Sequence, residues 1–242
     1  NKNIKLLEKR FSFKFPKGLA EHFSGEKNKI FKFLINKKIF IIEKVNEKKC
    51  SKNDLDNILK KVCNIIKSEK KIVNVNFILA PIKEFIRYQV IKVINHNYLF
   101  TKYKDSKTTT KKITFCSVNK LKNIVINSIK EGNIINDMRD MVNEPANTMN
   151  SDYFLKYVKT LKENGLKLEI MKKSKLKKQK MNLILAVNSG SKNEPYLLTL
   201  KWMPLKNKKP IVLLGKGVTF DSGGMNLKFG DFTDMKTDMT GA

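Results

Sequence analysis

The residues best equipped for chemistry lie near the end of the chain, in Leu214-Gly215-Lys216-Gly217-Val218-Thr219-Phe220-Asp221-Ser222-Gly223-Gly224-Met225-Asn226-Leu227-Lys228. Four glycines let backbone approach a ligand closely, while two lysines and an aspartate bring charge to the same stretch. The continuous apolar run Ile211 to Leu214 precedes it and reads as a strand buried on both faces, so the turn stands where a βα loop presents its ligands. A phosphate loop is excluded. That pattern needs Gly-x-x-x-x-Gly-Lys followed by Ser or Thr, whereas Lys216 is followed by Gly217 and Gly215 has no glycine partner at the required distance. Taken singly, Gly-Lys-Gly is a glycine-rich turn, Asp238 a residue suited to a helix start and Lys228 a solvated surface lysine. His22 and His96 have no partner at metal-ligand spacing and read as packing or surface histidines.

The longer string carries more. Gly-Lys-Gly-Val-Thr-Phe-Asp-Ser-Gly-Gly, then Asn-Leu-Lys, then Met-Lys-Thr-Asp-Met-Thr-Gly-Ala closely resembles the signature of the leucyl aminopeptidase family, the dimetal cytosol aminopeptidases. Asn143-Glu144-Pro145-Ala146-Asn147 is similar to that family's entry into its catalytic domain, so the resemblance runs from about Asp137 to Ala242. It implies two divalent ions, zinc or manganese with magnesium as an alternative, held by Lys216, Asp221 and Asp238, with Asp221 bridging the pair. As a ligand Lys216 must lose its proton from a reference pKa of about 10.4, so metal binding there weakens as pH falls. Lys228, by the same resemblance, stays cationic and polarises the scissile carbonyl. The implied whole protein is a cytoplasmic homohexamer acting on peptide substrates with leucine-like N-terminal residues.

Two departures from the family pattern stand out. Lys228 and Asp238 are closer in sequence than the family usually has them, which places a shortening in the loop Phe229 to Asp234. The family's second signature, Asn-Thr-Asp-Ala-Glu-Gly-Arg, occurs nowhere, and with it go an Asp ligand, a Glu ligand and an Arg. The chain, which starts at Asn1 and stops at Gly241-Ala242, is therefore expected to be the front part of a longer aminopeptidase, with negligible activity alone.

The elements expected to position these residues form an α/β chain. Residues 1–117 read as a small α/β domain, macro-like by the resemblance; 118–142 as a linking helix; and 143–242 as the first part of an α/β/α zinc-exopeptidase-like catalytic domain, incomplete at its C-terminus. Ile30 to Ile42 suggests a hairpin broken at Asn36-Lys37-Lys38. Ser51 with Asp54 caps a helix carrying Leu55, Ile58, Leu59, Val62, Ile65 and Ile66. Val73, Val75 and Phe77 alternate as a strand, Pro81 opens a helix through Ile94, and Tyr98 to Tyr103 and Lys112 to Cys116 read as strands. The linking helix places Leu121, Ile124, Val125, Ile135, Met138 and Val142 on one stripe, and Pro145 stops it. Beyond it, Ser151 caps a helix closed by Asn164-Gly165. Leu166 to Ile170, Leu183 to Val187, Tyr196 to Trp202 and Ile211 to Leu214 are strand candidates, with Trp202 in the core and Lys172 to Lys180 in solvent.

Composition narrows the classes. With 242 residues, 41% of them hydrophobic, and 15 Phe, the chain can bury a sizeable core and is not disordered. The formal charge of +28 raises nucleic acid as a partner, but only Arg10, Arg87 and Arg139 are arginine, and a lysine excess spread along the chain fits compositional drift better than phosphate reading. A non-catalytic chain whose basic N-terminal domain grips nucleic acid is the competing reading, and a nucleotide-like ligand for that domain a weaker third. Cys50, Cys63 and Cys116 are odd in number and far apart, as reduced cytosolic thiols are, and no apolar run is long enough to span a membrane.

Overall fold

The computed structural model describes residues 9, 30–35, 38–43, 51–69, 74–78, 83–105, 111–116, 121–205, 208–231 and 233–242. They divide into two compact units, Asn1–Asn136 and Asp137–Ala242.

In the first unit, strands β1 (Ile30–Ile35) and β2 (Lys38–Glu43) pair antiparallel with Ile35 opposite Lys38, the hairpin expected from the polar break between two apolar runs. Helix α1 (Lys52–Ser68) starts at the capping box its sequence announces: the Ser51 hydroxyl accepts from the Asp54 N–H at 3.1 Å, and the Asp54 carboxylate accepts from the Ser51 N–H at 3.0 Å. Strand β3 (Asn74–Ile78), helix α2 (Lys83–His96) and strand β4 (Lys112–Cys116) form a parallel crossover, Phe77 opposite Phe115. Val73 and Pro81 lie outside the described residues.

Among the described residues two adjoining clusters form the core here. Leu55, Leu59 and Cys63 of α1 pack with Val93 of α2 against Phe77 and Phe115, whose ring centroids are 6.1 Å apart. On the other face of α2, Ile86 and Val90 meet Leu121 and Val125 at the start of helix α3 (Lys122–Asn143). Burying side chains of this size contributes about 1.5–3 kcal/mol each. Cys63 occupies a position within the α1 stripe that an aliphatic reading of the sequence passes over. His96 is structural: its Nε2 lies 2.9 Å from the Asp56 carboxylate, which Lys92 also approaches at 3.2 Å.

Tyr98 to Tyr103 is not a strand. The segment leaves α2 in a turn closed by the Lys104 N–H on the Thr101 carbonyl at 3.0 Å, and no described strand pairs with it. Along α3 the buried positions are Leu121, Val125, Ser128, Gly132 and Met141, so Met138, 39% exposed, falls off the stripe.

In the second unit α3 ends at Asn143 before Pro145, as expected, and helix α4 (Ser151–Thr160) follows. Its cap is Asn150 rather than Ser151: the Asn150 side chain accepts from the Tyr153 N–H at 3.0 Å, while the Ser151 hydroxyl donates to the Glu194 carbonyl. A short 3-10 helix, Leu161–Asn164, closes with Gly165 at φ +79°, the left-handed conformation that residue suits. Strands β5 (Lys167–Met171) and β6 (Leu197–Lys201) pair antiparallel. Between them, the lysine-rich stretch forms helix α5 (Lys173–Lys178), solvated except for Leu176, which is fully buried.

Besides the cap at Ser151, three expectations for this unit fail. Leu183 to Val187 belongs to a helix, α6 (Asn182–Val187), because a five-residue apolar run carries no period that separates strand from helix. Trp202 is 61% exposed rather than in a core. Ile211 to Leu214 forms no strand and is 82–94% exposed; a strand exists only where a neighbour takes its backbone hydrogen bonds, and none among the described residues does. The sheet core expected at that run is therefore absent from the described structure.

Candidate functional site

Two apolar anchors hold the candidate residues against the helices of the second unit. Met239 and Phe220 join Met141 of α3 and Met149, with Tyr153, Phe154 and Tyr157 of α4 around them. Phe220 immediately precedes Asp221, and Met239 immediately follows Asp238. Each candidate carboxylate thus sits one residue from a side chain fixed in the same cluster. The sequence carried this signal, an apolar residue beside each acid, but only the packing shows that the two anchors share one partner surface.

From Asp221 the chain makes a tight return. Gly223 and Gly224 take φ +114° and +148°, and the Lys228 N–H donates to the Ser222 carbonyl at 3.0 Å. A β-carbon at Gly223 would lie 2.3 Å from the Asn226 carbonyl oxygen, so this turn admits only glycine there. The return brings two residues seven apart into contact, with Lys228 Nζ 2.7 Å from Asp221 Oδ1. The Lys228 hydrogen bond is the main cause that lowers the Asp221 carboxyl below its ordinary range, with smaller help from the Gly223 N–H and the charge of Lys216.

Lys228 Nζ also lies 3.2 Å from the Met235 sulfur. Met235 belongs to the 3-10 helix Thr233–Gly241, whose start is braced by the Asp231 carboxylate accepting from the Thr233 N–H at 3.0 Å. In a 3-10 helix positions i and i+3 eclipse, so Asp238 falls on the Met235 face one turn further on. Lys236 on this helix reaches back to donate to the Asn143 carbonyl at 3.1 Å. Met235 and Lys236 open the Met-Lys-Thr-Asp-Met string of the family resemblance, which gives them no role of their own.

The structure therefore brings Lys228 onto Asp221 and places the charge of Lys216 within reach of it, while Asp238, exposed, makes no ion pair with Lys216 or Lys228 among the described residues. Two carboxylates and an amine suit zinc, manganese or magnesium in kind. They do not suffice in number. Among the described residues no group of three or more His, Cys, Asp or Glu side chains could hold a metal ion.

The fold is that of leucine aminopeptidases. The chain superposes on a tomato leucine aminopeptidase mutant with TM-score 0.72 at 20% identity, covering 98% of this chain and 49% of that one. It superposes on the Bottromycin maturation enzyme BotP in complex with Mn with TM-score 0.74 at 19% identity, over 94% of this chain and 51% of that one. Sequence similarity names the family. Residues 136–242 match the cytosol aminopeptidase family, catalytic domain. A probable cytosol aminopeptidase of Persephonella marina is 37% identical over 209 residues, 79% of this chain and 42% of that protein. The cytosol aminopeptidase of Haemophilus influenzae strain Rd is 38% identical over 168 residues, 65% of this chain and 34% of that protein. The chain thus spans less than half the length of these relatives. Among the described residues no helix is long and apolar enough to cross a membrane.

Proposed function

We propose that this chain carries part of the catalytic machinery of a metal-dependent aminopeptidase that removes leucine-like residues from the N-termini of peptides. The observation that carries this reading is the Asp221 to Lys228 return, which joins an acid and an ammonium inside a segment matching the family's catalytic domain. Bound divalent ions, zinc or manganese with magnesium as an alternative, would supply an activated water. Manganese in the related BotP structure favours that ion.

Lys216, Asp221 and Asp238 would be donors to the ions, and further carboxylates, such as those of the family's second signature, would be needed to complete the set. Lys228 acts on the substrate. Its ammonium stands next to the Asp221 carboxylate, which would hold the ions, and there a cation would stabilise negative charge developing on the carbonyl oxygen. Phe220 and Met239 fix the two acids relative to the helices. The whole enzyme is a cytosolic homohexamer acting on peptides.

Hydrolysis of Leu-p-nitroanilide with added Mn2+ or Zn2+ tests this reading. Residues 1–242 alone give negligible turnover, and a longer form bearing the second signature turns over. In that form Asp221→Ala loses activity and bound metal together. Robust hydrolysis by residues 1–242 would overturn the partial ligand set, and unchanged metal content in Asp221→Ala would overturn the ligand role.

A further inference from the structure

Asn143 ends α3, and carbonyls in the last turn of a helix have no N–H of that helix to accept from. The same end carries the negative pole of the helix dipole, and α3 has no basic residue in its own last turn. A cation arrives from 93 residues further along: Lys236 Nζ donates to the Asn143 carbonyl at 3.1 Å. Lys236 is the one basic residue of the 3-10 helix Thr233–Gly241, whose other charged residues are the acids Asp234 and Asp238.

At three residues per turn this helix has three faces. Lys236 and Met239 share the one against α3, where Met239 is buried with Met141 and Met149. Met235 and Asp238 share the second, with the Met235 sulfur 3.2 Å from Lys228 Nζ. Asp234, Thr237 and Thr240 share the third, exposed throughout, where the two threonine hydroxyls donate back to the Asp234 and Thr237 carbonyls at 2.6 and 2.7 Å. A rotation of about 120° therefore exchanges Asp238 for Asp234 on the Lys228 side. One buried methionine fixes where the helix lies and leaves its rotation free. A second attachment on the same face, one turn away, removes that freedom.

We propose that Lys236 is a positioning residue: by capping the C-terminus of α3 it holds the rotation of the 3-10 helix, so that Asp238 rather than Asp234 is presented beside Lys228. This rests on the aminopeptidase reading, which gives Asp238 its task, and adds the group that aims it. Lys236 acts through the helix, from a different face than that of Asp238. The requirement is for a charged donor rather than for lysine, since a helix C-terminus attracts an ammonium or a guanidinium alike.

Two nuclear Overhauser contacts in the chain of residues 1–242 report the arrangement: the Met239 methyl to the Met141 methyl for the seat, and the Met235 methyl to the Lys228 ε-methylene for the rotation. Lys236→Met keeps most of the stem and removes the charge, and Lys236→Arg keeps a charged donor. Lys208→Met removes a charge at an exposed position outside the helix. The expected result is loss of the contact between Met235 and Lys228 in Lys236→Met, with the contact between Met239 and Met141 retained, and both contacts at parental strength in Lys236→Arg and Lys208→Met. Amide exchange along the 3-10 helix should quicken about two- to fivefold in Lys236→Met alone, the range that a charge at a helix end supplies. A contact between Met235 and Lys228 that persists in Lys236→Met, or that is missing from the parent chain, would overturn the positioning role. So would loss of both contacts together, which marks Lys236 as a support of the seat, and so would the same loss in Lys208→Met or Lys236→Arg. These outcomes leave the aminopeptidase reading standing. The failure of that reading at Asp238 shows elsewhere: full turnover of Leu-p-nitroanilide by Asp238→Asn in the longer form bearing the second signature would overturn the role of Asp238, and with it this proposal, whatever the contacts show.

Discussion

Replacing Gly223 by alanine separates a turn held by its own backbone from one held by the charges it joins. At φ +114° a residue with a β-carbon is strained by about 1–3 kcal/mol. The added carbon would also lie 2.3 Å from the Asn226 carbonyl oxygen and 3.0 Å from the Leu227 Cα, both backbone, so no side-chain rotation relieves the overlap. Reaching ordinary contact takes a shift of about 1 Å. Against this stand one hydrogen bond, from the Lys228 N–H to Ser222, with a net value of about 1 kcal/mol, and a half-exposed ion pair of less than about 1 kcal/mol. Strain and overlap together outweigh the hold, and the turn is exposed, so it should open while the packed cluster stays folded.

The assay is a carbon-13 titration of the Asp221 carboxyl, paired with a thermal melt. In the parent chain Asp221 titrates below the ordinary carboxylate range, because Lys228 hydrogen-bonds to its charged form. In Gly223→Ala it should rise toward about 3.9, with the melting midpoint within about 2 °C of the parent. The direction of the pH effect follows. A lowered carboxyl stabilises the folded form above its unfolded pKa, and that contribution is lost as pH falls through the folded value, so the two proteins should differ near neutral pH and converge in acid. A variant that keeps the low titration of Asp221 yet melts many degrees lower would refute the reasoning, since the turn would then be rigid and coupled to the core.

Other consequences can be checked separately. Tyr196 donates to the Asp152 carboxylate at 2.6 Å and its hydroxyl is pushed up to about 12, so its phenolate absorbance should appear above the ordinary tyrosine range, and Asp152→Asn should bring it down. The stability that pair supplies is complete below about pH 10 and fades as pH rises through about 12. Cys63 is fully buried and burial raises its thiol to about 11, so iodoacetamide at about pH 8 should leave it unmodified in the native chain and alkylate it after denaturation; ready native labelling would contradict the α1 packing. Leu176→Ala should destabilise the second unit by about 2–5 kcal/mol in urea titrations, whereas Lys177→Ala on the same helix should change it by less than about 0.5 kcal/mol.

Local chemistry made much of the fold readable in advance. Ser51 and Asp54 carry both halves of a capping box within four residues, and Val75 and Phe77 alternate in a strand whose neighbour repeats the pattern at Ile113 and Phe115. What failed depended on partners far along the chain. Ile211 to Leu214 has strand residues and no strand, because ladder bonds come from neighbours rather than from propensity. Asn150 and Ser151 are both good caps, and the choice between them turns on Glu194, 43 residues away, which takes the Ser151 hydroxyl. At the site, the Lys216 to Lys228 segment was legible as a string of residue types. The meeting of Lys228 with Asp221 was not, since it depends on two glycines at positive φ closing a turn.

The fastening of Asp238 also bears on how this segment ages. Its 3-10 helix has a single buried side chain, Met239, seated against Met141 and Met149, all three at most 7% exposed. Thioethers fill irregular gaps without demanding one rotamer, so the joint tolerates small movements of the acid it carries. The same atoms are oxidisable. A sulfoxide at Met239 would put a polar oxygen where only apolar surface waits and lift the helix from its seat. Shielding by the neighbouring methionines and aromatic rings makes that damage slow while the seat is closed, so the rate at which Met239 oxidises becomes a clock for how often the segment lets go.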